Sequence, residues 1–569
     1  MKNRITYIAL GLLVAIFNCQ LKKTKQDAIS AAEQLAKPSA VQYKWHEQER
    51  IMFVHFTPGT WNGSEEDTPA LPLNRFRPTK LNTDQWCEVA LSWGAKEVLF
   101  VAKHAGGFCW WQTETTEYSI KNTAYKDGKG DVIEELSQSC KKYGLNLGLY
   151  IYPGDLEWGA GIGSGGQTDD PSKQEAYNKV FRDQLTEVLS KYGDVLEVWF
   201  DGSCIIEIGD IIDKYAGNSV IFQGPHATIR WPGTESGKLA YPGWNTVSCE
   251  DLRTGVSTQL HGTPEGDCWA PLEADTPLYD HFWLWSPEKI KKRKSIEALM
   301  ECYYKSVGYG GVFLLNATPD TTGLIPESDV GHYQSLGAEI DRRFKNPIKS
   351  IANIKGIKAT IRFSSPTLVN HVITMEDYRQ GERIREYAIK GLVDGEWIEL
   401  TKGQSVGRKK IDYFGDTEVS AVELNITKHV GTPIIRFLSV YYVDQFTPFK
   451  NETLNIWADP AEVMHFKEDI FVSGKAKMEV DLSNLINLPG QYIVKVIPDD
   501  SNTQITLSDA QVYYNGAKAL QEFVTISGQS INVNRTAIIT DQSSSVLTFT
   551  IESKTPSNGK ITFSAAFVY

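Results

Sequence analysis

No Cys-x-x-Cys pair occurs anywhere in the 569 residues, and no cysteine follows Cys302. Structural zinc sites draw on such pairs, so the spacing offers no zinc site. A glycine-rich phosphate loop and a cluster of metal-ligating residues are both missing. Neither a metal nor an organic cofactor is therefore implied. No long basic run is present, and 70 acidic against 58 basic residues leave a net charge of -12. That balance argues against a nucleic-acid partner. The N-terminal apolar run, Ile5 to Phe17, is too short for a comfortable transmembrane helix. No strong internal repeat is visible, so the chain is not an array of like units.

What is present begins with that same N-terminus. Lys2 and Arg4 precede the apolar run, and Cys19 follows it. This pattern resembles a bacterial lipoprotein signal over residues 1–19, with Cys19 as the lipidated first residue of the mature chain. Phe17-Asn18 stands where such signals carry a small pair. An ordinary signal peptide and an uncleaved anchor are the alternatives. Residues 20–40 are polar and lysine-rich and read as a tether. The expected location is outside the inner membrane, periplasmic or at the cell surface, with a lipid anchor as the one membrane contact. Seven further cysteines, Cys87 to Cys302, read mostly as small buried apolar residues, and their odd number leaves at least one free.

A length of 569 residues calls for two or three domains. Hydrophobic residues make up 41%, enough for a large core. Aromatic residues are numerous; they are frequent where sugar rings stack, but they also fill cores. The stretch 193–202 carries the most information. Val195 to Phe200 is a short apolar, β-branched and aromatic run, as expected of a strand buried on both faces, and it ends at Asp201-Gly202. A carboxylate at the C-terminal end of such a strand sits where (β/α)8 barrels keep their chemistry. It could equally cap a helix. Further strands read over Ile51 to Phe56, Glu97 to Lys103, Leu145 to Tyr152, Ser219 to Gln223 and Gly311 to Asn316. Helical patterns lie between them over Thr83 to Ser92, Lys129 to Tyr143, Lys173 to Tyr192 and Ser286 to Gly308. The alternation predicts an α/β fold with a (β/α)8-like barrel over 41–345. Helical periods then vanish. Short alternating runs and Asp-Gly and Pro-Gly turns predict a β-sandwich over 346–447 and a second over 448–569.

Several stretches resemble one family, the retaining α-L-fucosidases of glycoside hydrolase family 29. Phe53-Val-His-Phe-Thr-Pro-Gly-Thr-Trp61 is similar to its first-strand Phe-x-His-Trp-Gly motif. Ala102-Lys-His-Ala-Gly-Gly-Phe-Cys-Trp-Trp111 resembles Ala-Lys-His-His-Asp-Gly-Phe-x-x-Trp, and Val198-Trp-Phe-Asp-Gly202 resembles the nucleophile strand. Gly224-Pro-His-Ala-Thr-Ile-Arg-Trp-Pro-Gly-Thr-Glu-Ser-Gly237 is similar to a loop typical of the subgroup acting on α-1,3/1,4-linked fucose. Trp269-Ala-Pro-Leu-Glu-Ala-Asp275 and Gly308 to Val330 match later segments. The likeness spans about residues 45–345 and is specific as an ordered set.

The resemblance implies an exo-acting glycoside hydrolase that removes fucose from branched oligosaccharides or glycoconjugates through a covalent fucosyl-enzyme. It implies Asp201 as nucleophile, with hydrogen-bond donors keeping it ionised. It leaves two candidates for the acid/base, Glu235 and Glu273, and that residue needs a raised pKa. Arg230 is an obvious ion-pair partner for Glu235. His55 and His104 are the expected hydroxyl binders. Trp110, Trp111 and Trp199, with Trp231 and Phe282, are candidates for an aromatic wall. The pattern departs at Ala105 and Gly106, which replace a His and an Asp. It departs again at Thr234 and at Tyr279-Asp280-His281-Phe282. Those changes keep open a related galactose-configured sugar as substrate. A homologue that binds carbohydrate without catalysis is the reading from another class.

Overall fold

A computed structural model describes residues 34–63, 65, 72–201, 204–252, 261–280, 282–449, 466–481, 490–500, 503–514, 517–518, 524–535 and 545–568. The signal, Cys19 and most of the tether lie outside the described residues.

Seven parallel strands form the first sheet: β1 (Arg50–Val54), β2 (Glu97–Lys103), β3 (Asn146–Ile151), β4 (Val195–Trp199), β5 (Val220–Phe222), β6 (Glu273–Thr276) and β7 (Val312–Ala317). Their order is β5-β4-β3-β2-β1-β7-β6. The ends, β5 and β6, are joined by two single-residue parallel bridges, Phe222 to Ile229 and Arg230 to Leu272. Ile229-Arg230 thus takes the eighth place, and the sheet closes as a (β/α)8-like barrel. Strands such as β2 and β4 are mostly apolar and fully buried, as expected of strands covered on both faces.

Local signals set the helices. Asn82 accepts from the Asp84 N–H before α2 (Thr83–Ser92), and Asp131 accepts from Glu134 before α3 (Val132–Tyr143). Then come α4 (Gln174–Lys191), α5 (Gly209–Tyr215), α6 (Ile296–Lys305) and α7 (Glu327–Phe344). The pattern from Ser286 to Gly308 yields a short 3-10 turn over Lys289–Lys292 and an α-helix only from Ile296, where Ser295 caps it. The tether reading stops short of its end: α1 (Ala40–His46) begins at Ala40 behind a Ser39–Gln42 capping box. Its Trp45 is fully buried, and the indole N–H donates to Glu197 at 2.7 Å inside the barrel.

Inward residues alternate along each strand, so they stack in layers. On β4 these are Glu197 and Trp199, followed by Asp201. On β6 they are Glu273 and then Asp275.

A six-stranded antiparallel sheet over 349–441 and a larger antiparallel sheet over 466–568 follow, each with its own apolar core. Both are β-sandwich domains. In the first, the strands Lys358–Glu376 and Lys410–His429 shift register between Arg362 and Thr367, as bulged strands do where they bend. This sandwich docks on the barrel through charge. Arg408, 4% exposed, pairs with Glu49, and Arg436 pairs with Glu47 at 2.9 Å.

Among the described residues Cys249 and Cys268 form a disulfide and five cysteines are free and buried. The pairing is an addition to the sequence reading. No helix of the described residues is long and apolar enough to cross a membrane.

Candidate active site

A pocket of about 250 Å³ opens at the C-terminal ends of the barrel strands. Asp201, Glu235, His55 and His104 all line it. So do Trp199 and Trp231 from the expected aromatic wall.

Asp201 lies two residues past the end of β4, after Phe200. The Tyr150 hydroxyl, on β3, donates to its Oδ2 at 3.0 Å. Burial pushes the Asp201 pKa up, while His104 and the Tyr150 hydrogen bond pull it back toward the ionised form. The rings behind it form a continuous pile. Trp199 stacks on Phe222 at 4.0 Å and on Tyr150 at 5.2 Å, and His104 lies nearly parallel to Tyr150 at 5.9 Å.

Glu235 arrives on the loop after the Ile229-Arg230 bridge. Burial pushes its pKa up to about 7; the Trp283 indole opposes this and the Asp201 charge adds to it. The Trp283 Nε1–H donates to Glu235 Oε2 at 3.1 Å. Burial raises both carboxyls; the His104 charge and the Tyr150 donor counter it at Asp201, while Glu235 is left at about 7, near neutrality.

His55 ends β1. Its Nδ1 lies 2.8 Å from Asn316 Oδ1, and Asn316 Nδ2 donates to the Trp283 carbonyl. An amide oxygen only accepts, so His55 carries its proton on Nδ1. Burial, and then the neighbouring His104, lower its pKa to about 3. The neutral ring presents Nε2 as an acceptor, suited to a sugar hydroxyl.

The structure moves several expected residues away from the pocket. Glu273 is the first residue of β6, fully buried one layer beneath Asp275, and is not a pocket residue. It accepts from Trp199 Nε1 at 2.9 Å and hydrogen-bonds Glu197, which requires a shared proton. Its burial raises its pKa to about 8. Arg230 does not pair with Glu235. Its guanidinium is 1% exposed and donates to the carbonyls of Ala270 and Trp244. Trp110 stacks on Phe56 at 4.6 Å in the core, and Trp111 donates to Glu187 at 2.8 Å. Phe282 packs into the apolar core outside the pocket, with Lys289 4.9 Å from its ring, and Trp283 faces the site instead. Burial pushes the Cys204 thiol up to about 12 and raises Cys109 as well, so neither is an activated nucleophile.

Among the pocket residues not singled out from the sequence are Glu65, Tyr150, Asp275 and Trp283. Glu65 comes from the loop after β1 and accepts from the Trp283 backbone N–H. Gln223, also lining the pocket, has φ +59° at the end of β5. A non-glycine residue in that region is a mark of strain found at functional sites.

Comparison with known proteins agrees with this geometry. The family model described as alpha-L-fucosidase matches residues 20–342, more than half of the chain. Alpha-L-fucosidase 1 of Arabidopsis thaliana is 28% identical over 475 residues, which are 74% of this chain and 90% of that protein. A crystal structure of a candidate alpha-L-fucosidase from Bacteroides thetaiotaomicron superposes with a TM-score of 0.67 at 33% identity, covering 72% of this chain and 100% of the other. Another, from Bacteroides ovatus, covers 94% of this chain and 93% of its own, with a TM-score of 0.63 at 26% identity.

Proposed function

Because the chain belongs to the alpha-L-fucosidase family and is a glycoside hydrolase of that kind, we propose that it acts as a retaining exo-enzyme on α-1,3/1,4-linked fucose of branched glycans. Asp201 attacks the anomeric carbon while Glu235 protonates the departing glycosidic oxygen. The C1–O bond breaks, an ester forms to Asp201, and the leaving glycan departs. Glu235, now a carboxylate, takes a proton from water, and that water's oxygen replaces Asp201 at C1. Fucose leaves with its original anomeric configuration.

The observation that carries this reading is the one pocket that Asp201 and Glu235 share, with the Tyr150 hydroxyl and the His104 charge favouring the Asp201 anion and burial pushing Glu235 up to about 7. His55 Nε2 accepts a sugar hydroxyl, and Trp199 and Trp231 meet the apolar face. A pocket on the scale of one sugar residue supports exo action. The loop carrying Glu235 supports the α-1,3/1,4 preference. The Cys249–Cys268 disulfide supports an exported location, and Cys19 supplies the proposed anchor; loss of lipid labelling in Cys19→Ala checks it.

Proton NMR of the first-formed sugar, with a Lewis-type trisaccharide and an aryl fucoside as substrates, tests the mechanism. First-formed α-fucose supports retention, and first-formed β-fucose refutes it. Azide should restore turnover of the aryl fucoside by Glu235→Gln and do nothing for Asp201→Asn.

A further inference from the structure

Strand β6 is the least apolar strand of the barrel, Glu-Ala-Asp-Thr, yet every one of its residues is buried. Its two inward side chains are both carboxyls. Each accepts an indole N–H from a tryptophan of the pocket wall. Glu273 takes Trp199 Nε1 at 2.9 Å, and Asp275 takes Trp231 Nε1 at 2.6 Å. Neither tryptophan is near β6 in sequence: the separations are 74 and 44 residues. One strand thus reaches two walls of the same pocket through successive inward positions.

We propose that Asp275, with Glu273 beneath it, is a positioning residue that fixes the tilt of the indole wall against which the fucose ring is held. The proposal rests on the fucosidase reading for its ligand. An indole in a pocket can pivot about two side-chain bonds. A stacked neighbour fixes its plane but lets it slide within that plane. A hydrogen bond at the ring edge removes that slide. Trp199 has both constraints, since Phe222 and Tyr150 hold its faces and Glu273 its edge. For Trp231 the edge contact to Asp275, itself 3% exposed, is the short one. Asp275 also lines the pocket. A carboxyl needed only for packing would be replaced at lower cost by an apolar residue, given the penalty of burying it. A wall that binds the sugar equally before and during reaction acts on KM rather than kcat.

The test separates the acceptor from the ionisable group. Asp275→Asn keeps an oxygen for the indole and loses the ionisable group; Asp275→Leu keeps the branched shape and loses the acceptor. Trp231→Phe keeps an aromatic face and loses the donor. On an aryl fucoside, Asp275→Asn should stay within about threefold of wild type. Asp275→Leu and Trp231→Phe should each raise KM about tenfold, with kcat changed less than about threefold, as one lost hydrogen bond allows. The double variant should be no worse than either single one. Asparagine as damaging as leucine, or a leucine loss confined to kcat, overturns the proposal. Should Asp275→Leu not fold, the other two decide: an unchanged KM in Trp231→Phe, or a lowered kcat in Asp275→Asn, overturns it. The indole N–H band in ultraviolet resonance Raman reads the clamp without turnover, and it should weaken in Asp275→Leu and not in Asp275→Asn. A folded wild type that releases no fucose sinks the fucosidase reading alone; an active wild type with an unaltered Asp275→Leu sinks the clamp alone.

Discussion

One contact that opposes the raised pKa of Glu235 can be removed cleanly. The Trp283 indole donates to Glu235 Oε2 at 3.1 Å and so favours the carboxylate. Trp283→Phe deletes the donor and leaves a ring in place. A hydrogen bond to a charged group contributes about 1.5–3 kcal/mol, and one pKa unit corresponds to about 1.4 kcal/mol. The Glu235 pKa, about 7 with the donor present, should therefore rise by about one unit or more. The sign follows from the role of the group. In the proposed mechanism protonated Glu235 is the acid, so the alkaline limb of the kcat/KM profile should report its proton in the free enzyme. That limb should move to higher pH in Trp283→Phe, whatever happens to the height of the profile. The assay is aryl fucoside hydrolysis in overlapping buffers at constant ionic strength. A limb that stays in place, or moves to lower pH, would refute the assignment of Glu235 as the acid.

Three further outcomes follow from the same geometry. Tyr150→Phe removes the 3.0 Å donor to Asp201; the acid limb should rise by about one unit and kcat/KM fall at least about tenfold, as steady-state profiles will show. Glu273→Gln should remain an active enzyme, because the residue lies below the pocket. Its raised pKa, about 8, means that its contribution to stability is full below about pH 4.3 and is lost as pH rises toward 8. The glutamine variant should therefore gain Tm over wild type at pH 9 and gain little at pH 5. Arg408→Met strips Glu49 of a buried partner at the barrel–sandwich contact. About 3 kcal/mol should be lost in chemical denaturation, and a loss below about 0.5 kcal/mol would contradict the ion pair's role.

The sequence made the barrel legible wherever strands were long and apolar. β4 and its terminal Asp201 are the clearest instance, because a buried parallel strand cannot hide its composition. It failed at β6, whose four residues carry no apolar run and hold their carboxyls by tertiary contacts to Trp199 and Trp231. Missing that strand left Glu273, its first residue, level with Glu235 as a candidate acid. The tryptophans show the same limit. Trp110 and Trp111 have a motif and a core position, whereas Trp283 has no motif and faces the site. Arg230 sits five residues from Glu235, yet a barrel-closing bridge turns its guanidinium toward the Ala270 and Trp244 carbonyls. Strand ends could be read from periodicity; the facing of loop side chains depends on contacts far apart in the chain.

The central claim is that Asp201 bonds to the sugar. A 2-deoxy-2-fluoro-fucosyl fluoride should label the enzyme with one sugar and slow its release, since the fluorine disfavours the oxocarbenium-like transition state. Mass spectrometry of the digested protein should place the added mass on the peptide that contains Asp201, and Asp201→Asn should take up none. An adduct on another carboxyl, or normal turnover by Asp201→Asn, would contradict the account.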